Sequence, residues 1–207
     1  FLSIKPCGTF LIIGGSTMPK NKEEIMIIFE KTKLKNVLVF KHFCFEDQRG
    51  TYEELYNERD YSEVIKRETG EDIKWQEDNI ATSSKHVLRG FHGDHRTWKF
   101  VTCLYGKFYI VVLNYDAESP DFGRWQSFVP SAQNKMQVLI PPKHGHAYLV
   151  MSDFAIFHYK QSEIYQGMEK QFTVKFNDSR FNVWGPVSEE LMILSERDKK
   201  GMVPHDK

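Results

Sequence analysis

Residues 100–113, which read FVTCLYGKFYIVVL, decide the fold class. Phe100–Tyr105 and Phe108–Leu113 are short runs of β-branched and aromatic residues, and such runs next to turn residues predict β-strands. The intervening Tyr105-Gly106-Lys107 predicts a tight hairpin turn. The sequence therefore predicts a protein built on short strands.

Further apolar runs of the same kind alternate with Gly, Pro, Asn or Asp along the chain. Together they predict an all-β sandwich or barrel, because many short strands need two packed layers to bury their aromatic residues. Aromatic residues make up 14% of the chain, which favours such a core. The other strand candidates are Val37–Phe40, Val138–Ile140, Tyr148–Val150 and Ala155–Tyr159.

Two stretches favour helix instead. Tyr52–Thr69 is charged and amphipathic, and its apolar residues are expected to cover one end of the barrel. Ser188–Leu194 is expected to form a short helix or turn, and Lys199–Lys207 a frayed polar tail. The apolar residues of the first stretch are Leu55, Tyr56, Tyr61, Val64 and Ile65.

The first 25 residues stand apart from this pattern. They contain the apolar run Thr9–Gly15, which is too short for a secretory signal and is followed by the charged run Lys20–Glu24. Residues 1–25 are interpreted as an added segment upstream of a natural start at Met26, with an extra strand as the alternative. Residues 26–207 are expected to form a single domain.

The charge and the cysteine content narrow the function classes. Lys plus Arg and Asp plus Glu are each 28, so the formal net charge is zero, which argues against a broad nucleic-acid interface. No apolar run reaches the roughly 18 residues that suggest a membrane span. Cys7, Cys44 and Cys103 are odd in number and form no CxxC motif, which favours reduced thiols in a cytoplasmic protein.

Residues 87–99, VLRGFHGDHRTWK, form the first of three polar clusters. Side chains of a regular strand alternate between its faces, so Arg89 and His92 both point inward only if the strand is kinked. Gly90 and Gly93 are candidates for that kink. A polar loop with surface cations is the alternative interpretation.

The second and third clusters carry His and Tyr side chains. Residues 140–148, IPPKHGHAY, place His144 and His146 on one face of a strand, although a polar turn with solvated imidazoles fits equally well. Tyr159 lies in the third cluster, and Tyr165 follows six residues later. Taken alone, Tyr159 fits a core or edge aromatic residue better than a catalytic one.

The three clusters belong to a series of seven motifs between about Phe40 and Asp198. The most specific is VLRGFH at residues 87–92. The others are FEDQRG at 45–50, EDN at 77–79, DAESPDFGRW at 116–125, the segment 140–148, Tyr159-Lys160 with the following Tyr165, and LSERD at 194–198. In this order the motifs resemble those of the dTDP-4-dehydrorhamnose 3,5-epimerase family.

The resemblance implies a cupin-like double-stranded β-helix, or jelly roll, with short peripheral helices and assembled as a homodimer. It implies an isomerase that inverts carbon 3, carbon 5 or both of an NDP-4-keto-6-deoxy sugar through an enolate, for capsule, O-antigen or other cell-surface polysaccharides. No cofactor and no metal are expected. Such a reaction needs a base on one face of the carbon, a proton donor on the other, and a positive group at the ketone oxygen.

The resemblance assigns these roles to particular residues. His92 is expected to be the base and Asp198 to orient it. Lys99, with Arg89, is expected to stabilise the enolate oxygen, and Tyr159 to deliver the proton from the opposite face. The residues expected to bind the sugar nucleotide are Arg49, Glu54, Glu77, Asn79, Arg89, His146, Tyr165, Glu169 and Arg197.

Departures from the family pattern concern the substrate. The segment between His92 and Lys99 is shorter than in the rhamnose enzymes and lacks H-x-Q. This form, with LSERD near the C-terminus, resembles the branch that acts on GDP-linked 4-keto-6-deoxy heptoses. Glu77 stands where the family has Gln, and His144 where it has Phe. The sequence leaves open whether the sugar is a hexose or a heptose and whether the nucleotide is GDP or dTDP.

Three other functions are compatible with a jelly roll. A metal-dependent cupin would draw its ligands from His92, His95, His144 and His146. However, no acidic residue follows His92 and His95, or His144 and His146, at the spacing that metal-binding cupins usually show. A 3,4-ketoisomerase would use the same scaffold, and a non-catalytic sugar-binding domain would not need a base, a donor and an orienting carboxylate together.

Overall fold

The computed structural model describes residues 27–183 and 185–202. The segment 1–25, Met26 and residues 203–207 of the expected tail lie outside the described residues. In chain order the elements are β1 (Ile28–Lys31), β2 (Leu38–Lys41), β3 (Cys44–Asp47), β4 (Gly50–Glu53), α1 (Glu58–Thr69), β5 (Glu77–Ser84), β6 (Leu88–Gly93), β7 (Lys99–Tyr105), β8 (Phe108–Asn114), β9 (Trp125–Phe128), β10 (Met136–Ile140), β11 (His144–Val150), β12 (Phe154–Gln161), a 3₁₀ turn (Met168–Lys170), β13 (Phe172–Thr173), a second 3₁₀ turn (Glu189–Leu191) and α2 (Glu196–Lys200).

Two antiparallel sheets face each other across a common core. One has the strand order β1-β2-β10-β7-β12-β5, and the other has the order β13-β6-β11-β8-β9. The strands β3 and β4 form a separate two-stranded hairpin. Consecutive strands repeatedly change sheet, which is the connectivity of a jelly roll.

The turn at Tyr105-Gly106-Lys107 is not a hairpin turn, so that prediction was wrong. β7 pairs with β10 and β12, whereas β8 pairs with β9 and β11, and the turn therefore carries the chain from one sheet to the other. Gly106 has φ 76°, and a Cβ there would lie 2.2 Å from the carbonyl oxygen of Phe154. The turn thus packs against the β11–β12 connection, which makes the same crossing. Strand length and a turn glycine do not distinguish a hairpin turn from a turn that carries the chain between two sheets.

The inner faces of both sheets form one apolar core. Val101 and Cys103 of β7 belong to the same buried cluster as Ile110 and Val112 of β8. Their spacing of two follows from the alternation of side chains along a strand. Residues of the opposite parity point away from this core, and other parts of the chain cover them on both sheets.

Helix α1 covers the outer face of the six-stranded sheet. Its Tyr61 ring lies 5.6 Å from the rings of Phe40 and Phe100, so the helix packs on the sheet and not on the end of the barrel as expected. The helix also begins at Glu58, later than predicted. The side chain of Asn57 accepts a hydrogen bond from the Asp60 amide and starts the helix there, while the preceding residues pair in β4.

The C-terminal segment covers the outer face of the five-stranded sheet. Ser188–Leu194 contains a 3₁₀ turn, which confirms the expected turn. The prediction of a frayed tail was wrong for residues 199–202, because α2 extends to Lys200 and the amide of Thr173 donates to the carbonyl of Met202. Ser195 begins α2 by accepting a hydrogen bond from the Asp198 amide. Both helices in the described ranges are too short and too polar to cross a membrane.

Candidate active site

A bulge in β6 directs both Arg89 and His92 to the inside of the barrel. Opposite β6, His146 pairs with His92 and Tyr148 with Arg89, so three steps along β6 match two along β11. Gly90 lies in the bulge with φ 122°, and a Cβ there would lie 2.3 Å from the carbonyl oxygen of His146. Gly90 therefore provides the predicted kink, because no side chain fits at this position.

His92 is held by the carboxylate of Asp198, as expected. Nε2 of His92 lies 2.6 Å from Oδ1 of Asp198, and Oδ2 of Asp198 accepts a hydrogen bond of 2.8 Å from the Ser195 hydroxyl. Burial by itself raises the pKa of Asp198, but hydrogen bonds from His92, Ser195 and the Gly90 amide outweigh it and leave the pKa below its ordinary value. The carboxylate is thus ionised and accepts the Nε2 proton, which leaves Nδ1 of His92 as the basic nitrogen.

The His92 imidazole is neutral at neutral pH. Burial lowers its pKa most, Asp198 opposes this in part, and the positive charges of Arg197 and Lys99 lower it further. A neutral imidazole next to an ionised carboxylate can accept a proton from a ligand inside the barrel.

Lys99 contributes a buried amine to the same interior. It lies at the start of β7, its residue is only 4% exposed, and it forms no ion pair within the described residues. Burial lowers its pKa to about 8, against the attraction of Asp94 and with a further lowering by Arg197. A buried ammonium without a counter-ion is suited to a ligand that develops negative charge on oxygen.

His144 and His146 lie on the inner face of β11, which confirms their predicted common face. His146 pairs with His92 in the sheet, and its Nδ1 is buried without a hydrogen-bond partner among the described residues. Burial lowers the pKa of His146 well below its ordinary value, and the charge of Lys99, together with that of His92 when it is protonated, lowers it further. His146 is therefore a neutral, directional group beside the His92–Asp198 pair.

Tyr159 approaches the interior from the opposite sheet. It lies on β12 between Asn79 of β5 and Val101 of β7, and its ring packs 5.3 Å from that of Phe157. Burial raises the pKa of Tyr159 most, and the carboxylate of Glu77 raises it further, so the phenol is protonated at neutral pH. The ring thus belongs to the edge of the core, while its hydroxyl lies in polar surroundings.

Glu77, Asn79 and Tyr165 lie together on the side of Tyr159. The side chains of Glu77 and Asn79 are joined by a hydrogen bond of 2.5 Å, and the Tyr165 amide donates to Glu77 over 2.8 Å. A cleft of about 290 Å³ opens here between the turn at 94–97 and the segment 161–171. Gln161 and Tyr165, which both bind Glu77, line this cleft.

Arg197 and Glu169 lie at the rim. Arg197 donates to the hydroxyl of Thr173 over 2.7 Å and to Oε1 of Gln171 over 3.2 Å, and its charge acts on His92. Glu169 lies exposed in the first 3₁₀ turn. Arg197 is therefore close to the His92 pair, whereas no described contact joins Glu169 to it.

Arg49 and Glu54 are not brought to this site within one chain. Arg49 lies at the tip of the β3–β4 hairpin, its side chain is 81% exposed, and it pairs with the neighbouring Asp47. Glu54 accepts a hydrogen bond from Asn57. No described contact connects either residue with His92, Lys99 or Tyr159.

Sequence reasoning missed three polar residues of the site, which are Ser83, Tyr148 and Ser195. Tyr148 and Arg89 both approach the hydroxyl of Ser83, at 3.5 Å and 3.2 Å. Ser195 binds Asp198. Two signals were present in the sequence: Tyr148 continues the period of two set by His144 and His146, and a Ser three residues before an acid is a common helix start.

The four histidines considered as metal ligands do not converge. Nε2 of His92 is engaged by Asp198, Nδ1 of His144 lies 3.0 Å from the Pro142 carbonyl oxygen, and His95 lies exposed against Phe172. Within the described residues no group of three or more His, Cys, Asp or Glu side chains is arranged to hold a metal ion.

These features define a class of protein. Inside one jelly roll, one sheet carries an imidazole held by a buried carboxylate, and the facing sheet carries a buried amine and a phenol. Such an arrangement of proton acceptor, cation and proton donor is typical of enzymes that catalyse acid–base chemistry next to a carbonyl group.

Comparisons with known proteins agree with this class and identify the family. A model of the dTDP-4-dehydrorhamnose 3,5-epimerase family matches residues 31–205. The enzyme of that name from Salmonella typhimurium is 34% identical over 176 residues, covering 84% of this chain and 93% of the relative. The Escherichia coli enzyme is 33% identical over 173 residues, covering 82% and 90%. The chain belongs to the dTDP-4-dehydrorhamnose 3,5-epimerase family, and is therefore an isomerase of the racemase and epimerase class.

Solved structures of this family confirm the predicted cupin-like jelly roll. The dTDP-4-dehydrorhamnose 3,5-epimerase of Elizabethkingia anophelis superposes with a TM-score of 0.75 at 37% identity, covering 84% of this chain and 94% of that one. A Legionella pneumophila 3,5-epimerase, solved with dTDP-4-keto-L-rhamnose, has a TM-score of 0.77 at 28% identity, covering 83% and 89%.

Proposed function

We propose that this enzyme inverts carbon 3, carbon 5 or both of an NDP-4-keto-6-deoxy sugar. The observation that carries the proposal is the placement of His92 and Tyr159 on facing sheets, with Lys99 on the sheet of Tyr159 and its charge acting on His92. Inversion requires a proton to leave one face of a carbon and another to arrive on the opposite face. Two groups on one side of the barrel would return the proton to the face it left.

The chemistry begins with the acidic C–H bond next to the ketone. Nδ1 of His92 takes the proton, and the electron pair of that bond moves to the ketone oxygen to form an enolate. Asp198 stabilises the resulting imidazolium, as carboxylates do for histidine bases in other enzymes. The ammonium of Lys99 stabilises the negative oxygen, and Arg89, which donates to Ser83 and acts on the Tyr159 phenol, is the second cation that we assign to this oxygen.

Tyr159 completes the inversion from the other face. Its hydroxyl donates a proton to the carbon while the enolate collapses to the ketone, and solvent then restores the phenol and removes the proton from His92. His146, Asn79, Tyr165, Glu169 and Arg197 would contact the sugar nucleotide around this centre. An arginine suits a diphosphate because its planar fork matches two oxygens at once.

We propose two candidate substrates, a GDP-linked 4-keto-6-deoxy heptose and a dTDP-linked 4-keto-6-deoxy hexose. The short segment between His92 and Lys99 and the LSERD motif at 194–198 support the heptose, whereas the names of the relatives support dTDP and a hexose. Proton NMR in heavy water on a panel of both substrates tests the proposal. Loss of the signals at the carbons beside the ketone, with appearance of the epimer, is expected for one of them. No deuterium uptake from any member would refute it, and migration of the ketone would indicate a 3,4-ketoisomerase.

We further propose that the enzyme is a homodimer in which the β3–β4 hairpin serves the site of a second copy. The hairpin carries Arg49 and exposes Phe45 and Tyr52, and no contact among the described residues brings Arg49 to His92. Mixing the inactive variants Arg49→Ala and His92→Asn tests this arrangement. A mixed dimer would contain one site with both natural residues, so activity should return. If it does not return after subunit exchange, Arg49 does not act in the partner's site.

A further inference from the structure

The carboxylate of Glu77 is engaged mainly by the protein itself. Oε1 accepts hydrogen bonds from Nδ2 of Asn79 at 2.5 Å and from Nε2 of Gln161 at 3.2 Å, and Oε2 accepts one from the Tyr165 amide at 2.8 Å. A carboxylate offers about four lone-pair positions, so three are occupied before a ligand enters. These donors hold the pKa of Glu77 below its ordinary value, Asn79 contributing most.

These three bonds join separate elements around the cleft. Glu77 and Asn79 lie on the inner face of β5, Gln161 ends β12, and Tyr165 lies in the segment that leads to β13. A carboxylate only accepts hydrogen bonds, so it fixes the NH₂ group of Asn79 towards itself. The amide oxygen of Asn79, which accepts no hydrogen bond from the described residues, is then available to a ligand hydroxyl.

Glu77 also places a negative charge beside Tyr159. Tyr159 pairs with Asn79, so Glu77 is its diagonal neighbour on the inner face of the same two strands. The other groups that act on the phenol are Tyr148 from β11, Tyr165 from the loop and Arg89 from β6. After burial, Glu77 contributes most to raising the pKa of Tyr159, and Arg89 opposes it.

We propose that Glu77 is a positioning residue, which fastens the Tyr165 segment and the Asn79 amide to the strand beside Tyr159 and keeps this proton donor in its protonated form. The role rests on the proposed function, since Tyr159 is a donor only in that reaction. It also accounts for an acid at this position, because a glutamine would carry no charge and would point an NH₂ group at one of the three donors.

The test compares Glu77→Gln with the matched control Asp78→Asn. Asp78 is on the same strand but faces outward, where it binds Lys160 and His158. For each protein, the amounts of inverted and of deuterium-exchanged sugar are measured by NMR between neutral and alkaline pH. Their ratio isolates Tyr159, because removal of the proton by His92 and stabilisation by Lys99 affect both products equally.

In Glu77→Gln the ratio is expected to equal that of the natural enzyme near neutral pH and to fall roughly threefold on the alkaline side, the effect of one partly exposed charge several ångströms away. The KM for the sugar nucleotide should also rise, because the Tyr165 segment is released. Asp78→Asn should change neither value. An alkaline ratio in Glu77→Gln equal to that of the natural enzyme would overturn the proposal.

A second variant keeps the test decisive if Glu77→Gln does not fold. Glu77→Asp retains the charge but shortens the side chain, so the alkaline ratio should be preserved while KM rises. A lowered ratio in this variant would show that the charge is not what protects Tyr159. A natural enzyme that exchanges no hydrogen at all would instead refute the proposed function and leave the hydrogen bonds of Glu77 as they are.

Discussion

Two histidine–aspartate pairs of the described residues lie on opposite faces of the sheets. His92 binds Asp198 over 2.6 Å inside the barrel, and His158 binds Asp78 over 2.9 Å on the outside of the six-stranded sheet. The side chain of Asp198 is 3% exposed and that of Asp78 is 53% exposed. The residue types are the same, so any difference in function arises from the surroundings.

The surroundings differ in charge as well as in burial. Asp78 is shared with the ammonium of Lys160 at 2.7 Å, which already balances its charge. Asp198 is bound by His92 and by two neutral donors, so its negative charge is available to an imidazolium. A carboxylate acts more strongly on its partner when water and other cations are excluded. The comparison identifies the inner pair as the one equipped for proton transfer.

The largest expected effect on the exchange rate comes from replacing the imidazole of the inner pair. His92→Asn should reduce deuterium exchange at the carbons beside the ketone by roughly 10²–10⁴-fold, the usual contribution of a general base. Binding of the sugar nucleotide, measured by calorimetry, should be largely retained. His158→Asn is the matched control and should exchange at the natural rate. Equal exchange in both variants would show that the inner pair has no special role.

The amine of Lys99 should produce the next largest effect, because it forms no ion pair within the described residues, whereas Lys160 at the outer pair is bound by Asp78. Lys99→Met should slow exchange by roughly 10²–10³-fold, as expected for losing a donor to a developing oxyanion. The pKa of Lys99 is about 8, so its positive charge is present below that pH and is lost above it. The exchange rate of the natural enzyme should therefore decline as the pH rises through about 8. A rate that keeps increasing there would contradict this assignment.

The smallest expected effect concerns the carboxylates. Asp198→Asn keeps the shape of the side chain but removes its charge, and exchange should fall roughly 10–100-fold, as for other groups that orient a functional histidine. Asp78→Asn should leave the rate unchanged. Steady-state exchange by NMR distinguishes the variants, and a comparable loss in Asp78→Asn would mean that the outer pair supports the site through the sheet.

Local sequence patterns predicted the inward-facing residues well. The conflict between Arg89 and His92 required a kink, and Gly90 provides it because only a glycine fits against the His146 carbonyl. The common face of His144 and His146 followed from the period of two. In contrast, β5 escaped prediction because it is a polar edge strand, although its Glu77 and Asn79 lie beside Tyr159 on the inner face of the sheet.

Contacts between distant parts of the chain could not be predicted from local patterns. Asp198 meets His92 across 106 residues, and only the family resemblance pointed to that pair. The crossing at Gly106 depends on which sheets the flanking strands join, and this is decided by the packing of the whole core. The position of Arg49 away from His92 is likewise set by tertiary structure, because within the described ranges β3 and β4 pair with each other and with no strand of the two sheets.

The central claim is that His92 and Tyr159 act on opposite faces of the same carbon. Tyr159→Phe keeps the ring against Phe157 and removes only the hydroxyl, so proton NMR in heavy water can follow exchange and inversion separately in one sample. The account predicts that exchange continues with the original configuration, while inversion falls by roughly 10²–10⁴-fold. Inversion at nearly the natural rate in Tyr159→Phe would contradict the assignment of Tyr159 as the proton donor.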